Sequence, residues 1–205
     1  MKKYFITAIS TDSGKTLISA ILTNALQADY WKPIQAGVQT DSVWMQRMLH
    51  SGHSIIHPEA YALKLAASPH AAAKDEGVEI DLSQIQVPET NGNDLIIEGA
   101  GGVLVPLNDA EVVADLITQL DAEVILVSNH YLGSINHTLL TAEELKRRNI
   151  HVKGIIFNGP PNEETERIIL KRTGYKMLLH VYPEKEITLA VINAYAVKLF
   201  ENWYE

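Results

Sequence analysis

Apolar positions along the chain follow two rhythms. Short unbroken apolar runs alternate with stretches in which apolar residues recur every three or four positions. The runs predict strands buried on both faces, and the wider spacing predicts amphipathic helices. Strands are expected at "KYFITAI" (3–9), "DYWKPI" (29–34), "DLIIEGAGG" (94–102), "EVILVS" (123–128), "VKGIIFN" (152–158) and "MLLHVYP" (177–183). Helices are expected over 16–26, 41–51, 110–120, 134–149, 162–173 and 188–203. Residues from about 51 to 92 keep neither rhythm. Such alternation predicts an α/β fold, a mostly parallel sheet flanked by helices on both faces. Ligands in such folds bind beyond the carboxyl ends of the strands. With no repeat, low-complexity tract or linker, 1–205 is expected to form one domain.

The first strand runs into "ISTDSGKT", ending at Thr16. Gly14, Lys15 and Thr16 fit the end of a phosphate loop, G-x-x-x-x-G-K-[ST], between a strand and a helix. Ile9 stands where the first glycine belongs, with Ala8 one step earlier. GKT alone is common by chance; at a strand-to-helix turn it points to a nucleotide. Loop N–H groups and a helix N-terminus suit phosphates. That makes Asp12, Ser13, Gly14, Lys15, Thr16 and Leu17 candidate nucleotide contacts. Lys15 would meet the outer phosphates, and the Thr16 hydroxyl Mg2+. Ala8 can serve only with a negative φ. Mg2+ also takes one or two carboxylates. Asp41 and Glu98 are the candidates, each placed at a strand's ligand edge. On its own Asp41 reads equally well as a helix N-cap. Glu98 at a buried strand end calls for a partner, which a metal would supply.

Composition narrows the field. A net charge of -8 argues against nucleic acid as a partner. The cluster Lys146, Arg147, Arg148 reads as an ordinary cationic helix end. There is no cysteine, which excludes thiolate chemistry and fits a cytoplasmic protein. No run approaches the ~18 apolar residues of a membrane span, and the N-terminal run lacks signal-peptide features. His50, His53 and His57 lie close together but fit no common zinc framework.

Four blocks together are specific: "TDSGKT", "WKPIQAG", "IIEGAGGVLVPL" and "LGSINHTLLT". They resemble the ATP-dependent dethiobiotin synthetases, in order and over nearly the whole chain, with "SPHAA" and "IIFN" as weaker echoes. The resemblance implies a phosphate-loop nucleotide hydrolase-like fold and an ATP-dependent ring closure of 7,8-diaminopelargonic acid with CO2. It implies that Lys15 and Lys32 act on the transferred phosphoryl group and the carbamate, with Thr11 bonding the carbamate. It places Asp12 where the family usually has glutamate. It implies Mg2+ on Thr16, Asp41 and Glu98. Nucleotide contacts would include Glu98, Gly99, Gly101, Asn158 and Pro183. The substrate would meet Thr11, Lys32, Ala36 and the loop Gly133, Ser134, Ile135, Asn136, which in the family reaches the other subunit's site in a homodimer. His70 is a candidate neighbour of the substrate.

The sequence departs from the family at Ala8 for glycine, at Ala36 for a hydroxyl residue and at His180 for glycine. A tyrosine that some members use on the substrate carboxylate has no clear match. A partitioning or septum-positioning ATPase would share the fold, and fold does not decide function. Such switches carry an additional lysine early in the loop, where this chain has Ser10, Thr11, Asp12 and Ser13. They also lack the "KPIQAG" block.

Overall fold

A computed structural model describes residues 1–38, 40–49 and 53–203. Its centre is a seven-stranded, all-parallel sheet in the order β4-β2-β6-β1-β7-β8-β9. The strands are β1 Lys3–Ala8, β2 Asp29–Trp31, β4 Ile56–His57, β6 Leu95–Gly102, β7 Glu123–Asn129, β8 Val152–Asn158 and β9 Met177–Val181. The helices are α1 Lys15–Leu26, α2 Asp41–Met48, α3 Pro69–Asp75, α4 Val113–Leu120, α5 Ser134–Arg147, α6 Glu163–Thr173 and α7 Leu189–Trp203. A separate parallel pair, β3 Ile34–Ala36 and β5 Tyr61–Leu63, stands beside the main sheet.

Side-chain alternation explains the three layers. Tyr4, Ile6 and Ala8 of β1 point into a core built with Ile18, Ile21 and Leu22 of α1 and Ile192, Tyr195 and Leu199 of α7. Phe5, between them, points the other way, into a core with Val113, Leu116 and Ile117 of α4 and Leu145 of α5. A smaller cluster of Leu126, Ile155, Phe157 and Ile169 seats α6. Continuous apolar strands are what a sheet covered on both faces requires.

Two sequence expectations need correction. The run 29–34 is not one strand: β2 stops at Trp31 and β3 begins at Ile34. Pro33 has no N–H for a ladder, and its carbonyl turns to accept from the N–H groups of Ala60 and Tyr61, each at 2.9 Å. The helix expected over 110–120 begins at Val113, because Pro106 and Val112 form an antiparallel bridge and Asp115 caps the Val112 N–H at 2.8 Å. The unreadable middle holds β4, β5, α3 and one 3-10 turn at Leu82–Gln84. Among the described residues no helix is long and apolar enough to cross a membrane. Two members of the basic cluster form an ion-pair network. Arg147 and Arg148 grip Glu144, with Arg148 also reaching Asp115 at 2.6 Å, and their hydrogen bonds hold the Glu144 carboxyl at about 2.

Candidate active site

The loop after β1 is shaped by local backbone chemistry. Gly14 caps α1 at φ 93, and Asp12 takes a left-handed φ of 58. Ala8 keeps a negative φ, and its methyl packs in the core with residues of α1. Two asparagines at neighbouring strand ends pin the loop. Ser13 Oγ donates to Asn129 Oδ1 at 2.8 Å, and Asn158 Nδ2 donates to the Ser13 carbonyl at 2.9 Å. A Cβ on Gly14 would lie 2.2 Å from Asn158 Nδ2, so this close approach needs glycine.

Beside the loop opens a cavity of about 710 Å³ at the carboxyl edge of the sheet. A cluster of charges forms its floor. Lys15 and Lys32 are each 7% exposed and Glu98 is 1% exposed. Thr16 Oγ1 lies 2.9 Å from both Asp41 Oδ1 and Glu98 Oε1. Lys32 Nζ donates to Glu98 Oε1 at 3.0 Å and pairs with Asp41 Oδ2. Tyr30 donates its hydroxyl proton to Glu98 Oε2 at 2.9 Å, orienting that carboxylate from β2.

Two carboxylates therefore face two ammonium groups in a buried floor. Burial pushes the Lys15 ammonium pKa below its ordinary range, and the pull of Glu98 does not make up the loss. Burial acts on Lys32 in the same direction. There Glu98 and Asp41, by charge and by hydrogen bond, more than offset it and leave the pKa raised. Lys32 is thus a fixed cation, unsuited to act as a base. The hydroxyl of Thr16 and the carboxylates of Asp41 and Glu98 form a set of hard oxygen donors, the kind Mg2+ takes alongside phosphate and water.

The cavity gathers Thr11, Asp12, Gly14, Lys15, Thr16, Lys32, Ala36, Asp41, Glu98 and Gly101, widely separated in sequence. Asn158 and Ser13 join through the loop. Other expected contacts lie elsewhere. Leu17 is partly buried against the core of α1. Gly99 faces β1, where a Cβ would meet the Phe5 ring at 2.6 Å. Pro183 is exposed and does not line the cavity. Gly133, Ile135 and Asn136 are exposed at the start of α5, outside this chain's own cavity, with Ser134 buried beneath them. His70 is not in the wall, which is formed there by Ala66 to Pro69. Thr40, not Asp41, caps α2, its hydroxyl accepting from the Val43 N–H. Of the histidine trio, His57 is bonded to Asp29 at 3.0 Å, and His50 lies outside the described residues. Sequence reasoning missed Tyr30 and Asn129. Tyr30 sits in a stretch already read as a buried strand and Asn129 one residue past another, and only pairing across the sheet reveals their partners.

Comparison with known proteins agrees with this geometry. The family described as an AAA domain matches residues 2–190. The chain is 81% identical to the ATP-dependent dethiobiotin synthetase BioD of Cytophaga hutchinsonii, with all of both chains covered. It is 49% identical to that of Christiangramia forsetii, over 96% of this chain and 95% of the relative. Among solved structures it is similar to the septum site-determining protein MinD of Pyrococcus horikoshii, complexed with Mg-ADP, at TM-score 0.60 and 14% identity. That match covers 100% of this chain and 96% of the other. A ParA family ATPase from Chlorobium tepidum matches at TM-score 0.56 and 12% identity, over 100% and 94% of the two chains. At those identities the two ATPases share the fold alone, whereas the first two relatives match along the full length and decide the family. The chain belongs to the ATP-dependent dethiobiotin synthetases.

Proposed function

We propose that the chain converts 7,8-diaminopelargonic acid, CO2 and ATP into dethiobiotin, ADP and phosphate. The observation that supports this most is one cavity holding both a phosphate-loop lysine and a second buried cation, Lys32, beside two carboxylates. One substrate amine forms a C–N bond to CO2 and loses a proton to solvent, giving a carbamate. A carbamate oxygen then attacks the γ-phosphorus as the bond to ADP breaks. The second amine attacks the carbonyl carbon of the mixed anhydride, phosphate departs, and the cyclic urea closes with loss of a proton.

Phosphoryl transfer asks a protein for position and charge more than for covalent chemistry. Lys15 balances charge on the phosphoryl group in transit. Lys32, held cationic by Glu98 and Asp41, serves as a point charge for the carbamate oxygens, and Thr11 adds a hydroxyl at the rim. Thr16, Asp41 and Glu98 would hold Mg2+, which when bound supplies charge neutralisation on the phosphate oxygens. Asn158 Nδ2 anchors the side chain to the loop, and its Oδ1 is the acceptor to which an adenine amino group would donate. A cysteine-free biosynthetic chain of this kind works in the cytoplasm.

Incubating purified protein with diaminopelargonic acid, isotopically labelled bicarbonate and MgATP is expected to yield dethiobiotin carrying the label, read by mass. ATP hydrolysis without that product would sink the reading and favour a switch ATPase.

The substrate's far carboxylate needs its own cradle. Gly133, Ser134, Ile135 and Asn136 open α5; the Ser134 N–H is taken by the Tyr131 carbonyl at 3.0 Å, so the first-turn N–H groups of Ile135 and Asn136 would carry the anion site. They stand outside this chain's cavity, so the reading assigns them to the neighbouring site of a homodimer. A two-fold dimer would present each loop to the opposite subunit. Lys15→Ala and Asn136→Ala, each inactive alone, should then complement. With random assembly half the dimers are hybrids, so about a quarter of all sites are whole. Co-expression is expected to restore roughly that share of activity. No gain over the two mutants' average, with hybrids shown to be present, would place Asn136 in its own subunit's site or outside the site altogether.

A further inference from the structure

Outside the catalytic cavity, three potential ligands meet at the neighbouring edge of the sheet. His130 follows β7 directly, Glu166 lies in α6 and His180 in β9. Their side chains are only 7%, 14% and 8% exposed. His130 Nδ1 lies 2.7 Å from the Pro160 carbonyl, and His180 Nε2 lies 3.0 Å from the Gly159 carbonyl. A carbonyl only accepts, so each ring's proton belongs on that nitrogen. The remaining nitrogens, His130 Nε2 and His180 Nδ1, turn lone pairs toward Glu166 Oε1 at 3.7 and 3.3 Å. His130 Nε2 is buried with no hydrogen-bond partner.

Two imidazole lone pairs facing one carboxylate repel. A single added proton would answer one contact and leave the other unmet. A single cation would answer all three. The spacing suits a particular kind. Metal–ligand bonds of about 2.0–2.1 Å in tetrahedral geometry place neighbouring ligand atoms about 3.3–3.4 Å apart. The 3.3 and 3.7 Å separations are close to that edge, and all three atoms lie within 4.8 Å of one another. Backbone carbonyls fixing the far ring nitrogens are the usual outer support of a ligating histidine. Tyr182 stacks on His180 at 4.4 Å and holds the ring plane, while the Asn162 N–H donates to Glu166 Oε1 at 3.1 Å.

We propose that His130, Glu166 and His180 form a binding site for a divalent transition metal of the Zn2+ class, with the fourth position left to water. The site ties the ends of β7 and β9 to α6 around the Gly159–Pro160 turn. It adjoins the nucleotide loop through chain neighbours: Asn129 precedes His130, and Asn158 precedes Gly159, and these two asparagines pin Ser13. An occupied site would therefore stiffen the supports of the phosphate loop without touching the reacting groups.

The test uses untagged protein, stripped by a chelator and kept in excess MgATP so that the catalytic carboxylates are occupied. Zn2+ is titrated in competition with a chromophoric chelator. One equivalent per chain is expected to bind. Affinity should fall at least about 100-fold in Glu166→Gln and in His180→Gln, since even outer-shell changes cost 10–100-fold. Zn2+ should raise the melting temperature of the wild type and not of Glu166→Gln. Co2+ should give the intense visible bands of a tetrahedral centre in the wild type alone. Glu166→Gln preserves shape and the Asn162 contact, so it decides the matter if His180→Gln fails to fold. Absence of a bound equivalent, or equal binding by wild type and Glu166→Gln, would overturn the site.

Discussion

Glu98→Gln is expected to damage both the fold and the chemistry. The carboxylate is 1% exposed and takes three donors: Tyr30 Oη and Thr16 Oγ1 at 2.9 Å each, and Lys32 Nζ at 3.0 Å. Glutamine keeps the volume but not the charge, leaving Lys32 to face Asp41, and Lys15 to face Asp41 and Asp12. Removing one partner of a buried ion pair typically costs 3–5 kcal/mol. Asp41 still answers Lys32, so a loss near the lower end, about 3 kcal/mol, is expected in denaturant melts. Turnover should fall on the order of 100-fold or more, the usual result of losing a buried electrostatic stabiliser. A second variant separates the two effects. Lys32→Met combined with Glu98→Gln removes the stranded ammonium and should recover most of the stability, because apolar replacements of buried pairs are often neutral. It should recover none of the turnover. Wild-type turnover in Glu98→Gln at limiting Mg2+ would remove Glu98 from the metal site, and unchanged stability would refute the charge balance.

How legible this site was depends on the distance over which each signal acts. Lys15 and Thr16 were readable because their context is local: an apolar strand, a short loop, a helix start. Glu98 was readable because a carboxylate in a buried strand is anomalous without a partner, although it lies within β6 rather than at its end as expected. β8 matched its expected span, Val152–Asn158, because an apolar run between polar neighbours has sharp ends. The misreadings came where tertiary contacts override local pattern. Pro33 splits a run that hydropathy joins, and the Pro106–Val112 bridge delays α4. Region 51–92 was opaque because its elements are short, three residues or fewer in β4 and β5. Such segments are held by pairing with β2 and β3, and periodicity does not record pairing. The His130, Glu166, His180 cluster had no local signal either, since its members come from three elements.

The same floor bears on how the proposed synthetase chemistry could be built on a fold shared with the two ATPases. A nucleotide needs the loop, the lysine that ends it and oxygen donors for a metal. A second acceptor chemistry needs a further cation near the γ-phosphate, fixed in charge and position. On the proposed function Lys32 would meet that need, kept cationic by Asp41 and Glu98. Without them burial would push it, like Lys15, toward the neutral amine.

Lys15→Met should produce the opposite pattern from Glu98→Gln, a large loss of turnover with no loss of stability. Methionine keeps an unbranched apolar stem of similar length, so packing at the start of α1 is preserved. The ammonium is what disappears. Among the described residues its one hydrogen bond is a long one, 3.4 Å, to the Ser10 carbonyl. Its pKa in the folded chain lies below the ordinary value of 10.5, chiefly through burial. The unfolded chain therefore binds the proton more tightly than the folded one. A cation in that position costs folding free energy at neutral pH, and stability rises with pH through the window below 10.5. Lys15→Met removes the cost, so its melting temperature should equal or exceed that of the wild type at pH 7. The advantage should shrink as the pH approaches that window. Turnover should fall on the order of 100-fold or more, because the charge that balances the phosphoryl group in transit is gone. A stable, inactive variant would show that this cation is kept for chemistry at the expense of stability. Loss of stability matching the loss of turnover would instead make Lys15 a structural ion-pair partner of Glu98, and the transfer role would have to pass to Lys32.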